Sequence, residues 1–121
     1  MIELVAVPSS LPGGLEAAVS EHFGHCEAFT LVELAEGRVA RVAVLPNPGH
    51  GDCAGPVKLL AARGVTRVVA AGMGRNPLAA LEAAGIAVTS AAGAGAVGDA
   101  IAIVLTGATR PLASACTCGG H

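Results

Sequence analysis

At 121 residues and a formal charge of −2, the chain fits one domain and lacks the basic surplus that draws proteins to phosphate backbones. Hydrophobic residues make up 53% of it but aromatics only 2%, with no Trp or Tyr, so base-stacking platforms are nearly absent and no nucleic-acid partner is expected. The start, Met1-Ile2-Glu3-Leu4-Val5-Ala6-Val7, has no basic region or long apolar run, and no stretch approaches the roughly 18 apolar residues of a membrane span. A cytoplasmic chain with no membrane partner is expected, and there the four cysteines are metal or redox groups rather than disulfides.

In chain order, Ile2 to Val7 is a short apolar run closed by Pro8-Ser9-Ser10 and reads as a buried strand. The stretch from Pro12 to Cys26 is glycine-bearing and irregular, with one helical turn expected over Leu15 to Val19. Phe29 to Leu34 and Val39 to Leu45 are strands joined by Glu36-Gly37 as a hairpin. Pro46 to Asp52 carries two prolines and two glycines and is read as a loop.

Pro56 suits a first helical turn and Gly64 the stop of a helix over Val57 to Arg63. Val65 to Ala70 follows as a strand. Asn76 as N-cap, Pro77 as first helical residue and Gly85 as stop frame a helix over Leu78 to Ala84. Ile86 to Thr89 is the next strand, and a helix over Val97 to Thr106 stops at Gly107. The order predicts an antiparallel hairpin, two parallel crossovers and a mixed five-stranded α/β sheet with helices on its faces. Residues 1–107 form the domain and 108–121 a flexible tail bearing Cys and His.

The soft ligands fall in three places. Ser20-Glu21-His22-Phe23-Gly24-His25-Cys26 and His50-Gly51-Asp52-Cys53-Ala54-Gly55-Pro56 lie in loops, and Cys116-Thr117-Cys118-Gly119-Gly120-His121 ends the chain. Thiolates suit zinc, Cu(I) and iron–sulfur clusters, and imidazole suits several of the same metals. Candidate metal ligands are therefore His22, Cys26, His50, Cys53, Cys116, Cys118 and His121. No pair has the Cys-x-x-Cys spacing of a zinc ribbon. The plain alternatives are a buried Cys acting as a small hydrophobe, solvated loop histidines and incidental tail cysteines.

Phe23 reads as an anchor for its loop, and Gly24 as a point of backbone freedom or close approach. The helix opening at Gly55-Pro56 would turn free N–H groups toward Cys53, favouring a thiolate or an anionic cluster. Gly72-Met73-Gly74 joins a strand to a helix. It lets a ligand approach the backbone, and Met73 offers a thioether, although no phosphate-loop ending of Gly-Lys-Ser/Thr follows. The other reading is a tight turn with Met73 packed inward.

The Ser20 to Cys26 segment, the Cys53-Ala54-Gly55-Pro56 helix start, Gly72-Met73-Gly74 and Gly85-Ile86 together resemble the dinitrogenase iron–molybdenum cofactor biosynthesis family, of the NifX/NafY type, over about Ile2 to Gly107. The resemblance implies a ribonuclease-H-like three-layer fold. It also implies binding of an iron–sulfur or iron–molybdenum-type cluster, with His22 as a contact. On that basis the cofactor-binding set is His22, Phe23, Gly24, Cys26, Cys53, Gly72, Met73 and Gly74. The expected role is a non-catalytic carrier in cofactor assembly or trafficking, with cluster donor and acceptor proteins as partners and a link to nitrogen fixation.

Three rivals stand beside it. A simple Zn or Cu(I) binder or metal chaperone would use the same ligands. A ribonuclease-H-type nuclease needs converging carboxylates, whereas Glu3, Glu33, Asp52, Glu82 and Asp99 are scattered. A Cys116/Cys118 dithiol would be a redox pair with one-residue spacing.

Overall fold

The computed structural model describes residues 2–20, 26–47, 54–71, 75–91 and 93–107. Their elements run β1 (Ile2–Ser9), β2 (Ala28–Ala35), β3 (Arg38–Pro46), α1 (Ala54–Ala62), β4 (Arg67–Ala70), α2 (Arg75–Ala83), β5 (Ala87–Ser90) and α3 (Val97–Thr106). They form a five-stranded sheet in the order β3-β2-β1-β4-β5. β2 is antiparallel to both β1 and β3, whereas β1–β4 and β4–β5 are parallel. The mixed sheet expected from the sequence is thus present.

Side chains alternate across the strands and divide the core in two. Ala6, Phe29, Leu31, Val68 and Ala70 pack with Val57 and Leu60 of α1 and Leu78 and Leu81 of α2. Val5, Val7, Val32, Leu34 and Val69 pack on the other face with Val97, Ala100 and Ile101 of α3. Two helices on one face and one on the other make three layers. Large side chains are few, so Phe29, Leu60 and Leu81, all fully buried, carry much of the buried area.

The local punctuation works as the residue types require. Glu36 (φ 54°) and Gly37 (φ 79°) are both left-handed, as a two-residue hairpin turn demands. α1 and α2 end alike, with Gly64 and Gly85 at positive φ. Gly64 N–H donates to Ala61 O and Val65 N–H to Leu60 O, and Gly85 N–H to Glu82 O and Ile86 N–H to Leu81 O, so each end is a Schellman motif. These bonds explain why β4 and β5 start later than their apolar runs suggest. The N–H groups of Val65 and Ile86 close helices instead of joining the sheet.

Other expectations need correction. Leu15 to Val19 is not a helical turn. Its carbonyls are used by α3, whose N-cap Ala96 has no side-chain cap: Val97 N–H donates to Ala17 O (2.9 Å) and Gly98 N–H to Leu15 O (2.7 Å). Further bridges join Ser9 to Val19 and Ala18 to Ala96, stitching this segment to the end of β1 and the start of α3. Pro46 is not in a loop but ends β3 opposite Ala28, a place open to proline because β3 is an edge strand. Asn76 lies inside α2 rather than ahead of it, because that helix already begins at Arg75.

Candidate functional site

The strand register gathers the candidate segments. Ser9, the last residue of β1, pairs with Ala28, the first of β2, and Ala28 pairs with Pro46, the last of β3. On the other side β4 and β5 run parallel to β1 and end side by side at Ala70 and Ser90. Segment 21–25 joins β2 at this end, 48–53 leaves it after Asn47, and 72–74 leaves it after Ala71. The carboxyl ends of parallel strands, beside the point where strand order reverses, are where open α/β sheets bind ligands. Here that reversal lies between β1 and β4.

Segment 21–25 is held at both stems. Ser20 N–H donates to Pro8 O at 2.8 Å, while Cys26 is buried at 3% exposure beside the start of β2. His22, Phe23 and Gly24 lie within this segment and outside the described residues, as do His25, His50, Cys53, Gly72, Met73, Gly74, Cys116, Cys118 and His121. Among the described residues no three His, Cys, Asp or Glu side chains come together as a metal site.

Cys26 is the one sequence-predicted ligand that the described residues include, and it is a free thiol. Burial pushes its pKa up to about 11, against the pull of backbone N–H groups of Ser9, Cys26 and Ala28 and of the Asn47 amide. Left to itself the sulfur is therefore protonated at neutral pH. A soft metal would have to displace that proton, as metal binding to thiols ordinarily does. The fit to a sulfur-ligated cargo rests on this donor chemistry: a soft atom with N–H groups around it that favour the thiolate, the form a metal binds, over the thiol.

Sequence reasoning missed Asn47, read only as part of a proline-flanked loop. It is 7% exposed; its N–H donates to Glu27 O at 3.1 Å, and its side-chain Nδ2 donates to Cys26 O at 2.9 Å and reaches Cys26 Sγ at 3.9 Å. Ser9 and Thr30 were missed too. Their buried hydroxyls lie 2.8 Å apart, and Thr30 Oγ1 also accepts from Gly14 N–H, anchoring the loop after β1. A polar residue next to a candidate ligand segment was the available signal for Asn47; for Ser9 and Thr30, each within a strand, there was none.

A cavity of about 500 Å³ lies elsewhere, lined by Glu3, Leu34, Glu36, Val104 and Leu105 among others. It is at the opposite end of the sheet, by the hairpin turn and the end of α3, and Cys26, the predicted ligand among the described residues, does not line it.

The arrangement defines a three-layer α/β protein with segments 21–25, 48–53 and 72–74 rooted at one sheet end, whereas the tail follows α3 at the other. The chain belongs to the dinitrogenase iron–molybdenum cofactor family, whose sequence profile matches residues 1–107. That membership ties the protein to biosynthesis or binding of the iron–molybdenum cofactor. A Thermotoga protein designated NifB is 30% identical to it, with a TM-score of 0.77 over 98% of this chain and 99% of its own. The apo form of the orange protein from Desulfovibrio gigas is 24% identical with a TM-score of 0.80, covering 93% of this chain and 95% of its own. A protein from Methanocaldococcus jannaschii designated a dinitrogenase is 17% identical with a TM-score of 0.74, over 93% and 96%. These last two likenesses concern the fold alone. No curated protein matches the chain.

Proposed function

We propose that the protein binds an iron–sulfur or molybdenum-containing cluster as cargo and carries it between a donor and an acceptor protein in the cytoplasm, without catalysing a reaction. The observation that carries this reading is the rooting of segments 21–25, 48–53 and 72–74 at one end of the sheet, in a chain whose family is named for such a cofactor. His22 and Cys26 hold the cluster from one side, and Cys53 and His50 from the neighbouring segment. Gly72, Met73 and Gly74 form the floor, where small residues admit a bulky ligand. α1 and α2 both begin at this sheet end, so their N-terminal partial charges favour an anionic cluster. The tail thiols of Cys116 and Cys118, with His121, close over the cargo or pass it on. A carrier must also release its load, which suits few ligands spread over separate segments.

The test is anaerobic reconstitution of the full chain with iron, sulfide and molybdate, against zinc or Cu(I) alone. Cluster binding produces visible charge-transfer absorption, and His22→Ala and Cys26→Ala lower occupancy without unfolding the domain. Uptake of zinc or Cu(I) with no cluster would replace this reading by that of a simple metal binder. Occupancy unchanged in both variants would remove the ligand assignment.

A further inference from the structure

The sheet has two edges, β3 and β5, and they differ. β5 is only four residues long, and a short edge gives a neighbouring strand little to pair with. β3 is nine residues long, and Ala40 to Val44 are all exposed. Val42 and Val44 are two of the four exposed large hydrophobics among the described residues. Long apolar edges of this kind invite a further strand.

The pairing with β2 fixes which backbone groups that strand would meet. Asn47 N–H donates to Glu27 O and so faces β2, and successive residues of an antiparallel strand point their N–H and C=O to alternate sides. Ala43 and Leu45 therefore face β2, whereas Val42 and Val44 turn their N–H and C=O outward. Two features bound this stretch. Pro46, which has the same outward sense, lacks a donor, and Ala40 is an extra residue between the pairs Leu34–Val39 and Glu33–Arg41.

We propose that β3 is a self-association edge, on which a second copy of this chain pairs antiparallel about a two-fold axis at Ala43 and joins two sheets into one. In this register Val42 of each copy exchanges both backbone hydrogen bonds with Val44 of the other, so every outward N–H between the bulge and the proline is used. The valine side chains lie on the face shared with α3, since Val42 pairs with Val32 and Val44 with Thr30, and the four of them cover one another. Ala43 meets Ala43 at a narrow pair, with Cα atoms about 4.5 Å apart, where small side chains fit. Charge favours the same arrangement. The charged residues of β3 are Arg38 and Arg41, both in its first half. Antiparallel pairing sets Arg41 opposite Leu45 of the second copy and keeps the arginines apart, whereas parallel pairing would bring like charges together. A two-fold contact closes on itself, so assembly through this edge stops at the dimer. The proposal does not depend on the cluster reading.

Sedimentation equilibrium of the full chain under reducing conditions is expected to show a reversible monomer–dimer equilibrium, since one strand edge makes a small interface. Val42→Lys and Val44→Glu are each expected to weaken association at least about tenfold, with circular dichroism unchanged because both side chains are exposed. Mixing the two variants is expected to restore it, because position 42 of one copy lies opposite position 44 of the other and the charges are then opposite. A monomer at every concentration, a dimer that survives both substitutions, or a mixture that stays monomeric would overturn the proposal.

Hydrogen exchange of the unaltered chain tests it without a variant. The amides of Val42 and Val44 should exchange more slowly as concentration rises, while those of Ala43 and Leu45, already facing β2, should not change. Rates at Val42 and Val44 that are independent of concentration would overturn the proposal.

Discussion

Gly13 lies so close to Val44 that a Cβ at position 13 would fall 2.7 Å from both Val44 methyl carbons. Gly13 is also left-handed, with φ +81°. The loop after β1 can therefore press onto the exposed edge strand only because position 13 has no side chain. Gly13→Ala is expected to cost about 1–3 kcal/mol through overpacking and strain together. Gly14 is left-handed too (φ +96°) but faces open space, so Gly14→Ala should cost only the strain, about 1 kcal/mol. Urea unfolding of the two variants separates the effects, and equal losses would contradict the contact argument.

Cys26 should make the fold sensitive to alkali. Its folded pKa of about 11 stands above the ordinary thiol value of 9.0, so the unfolded chain gives up this proton first as pH rises. Stability from the buried thiol is complete below pH 9 and is lost as pH climbs through 11, by on the order of 2 kcal/mol for this group. Thermal unfolding from pH 8 to 11 should show a fall in Tm that Cys26→Ser makes shallower. Alkylation should report the same burial, with Cys26 reacting slowly in the native protein at pH 8 and quickly in denaturant.

Arg67 ties three strands together far from the candidate site. Its Nε donates to Glu3 Oε2 at 2.7 Å and its Nη1 to Thr89 Oγ1 at 2.6 Å. The ion pair is partly exposed and screened by solvent, so most of the effect comes from the Thr89 hydroxyl, which is 2% exposed. Arg67→Leu should cost about 1–2 kcal/mol, and adding Thr89→Val should recover part of it because no hydroxyl is then left unpaired. Cd²⁺ affinity should stay at the parent value in both, since Glu3 and Arg67 lie at the opposite end of β1 and β4 and none of the three groups touches Cys26. A change in affinity would show that the two ends of the sheet are coupled.

Removing residues 108–121 should leave the domain folded. Every strand and helix of the described residues ends by Thr106, and Gly107 closes α3 through N–H bonds to Ile103 O and Val104 O. Circular dichroism and Tm should match the full chain. Cluster transfer to an acceptor should slow, since Cys116, Cys118 and His121 are lost. A truncated chain that transfers at the parent rate would take the tail out of the proposed mechanism.

Much of this fold was legible in short stretches of chain. Gly64, Gly85 and Gly107 end helices and Glu36-Gly37 turns a hairpin because these are nearest-neighbour events, decided by which residues tolerate a positive φ. The apolar runs marked all five strands for the same kind of reason. The likeness to the cofactor family rested on contiguous motifs and was equally local.

Other features depended on partners distant in sequence. Leu15 to Val19 has helix-compatible residues, yet its carbonyls serve as the missing cap of α3, some eighty positions away. Cys26 looked like a loop ligand, but only the packed sheet takes it out of water and raises its pKa. Asn47 has no distinguishing neighbours in sequence, and its part follows from a 2.9 Å contact across twenty-one residues. The sequence by itself determined the elements, their stops and the soft-ligand chemistry, because backbone conformation and side-chain type are properties of neighbouring residues. Only the tertiary structure decided that the stems of the ligand segments share one end of the sheet, because strand register is a long-range choice made by burying both faces at once.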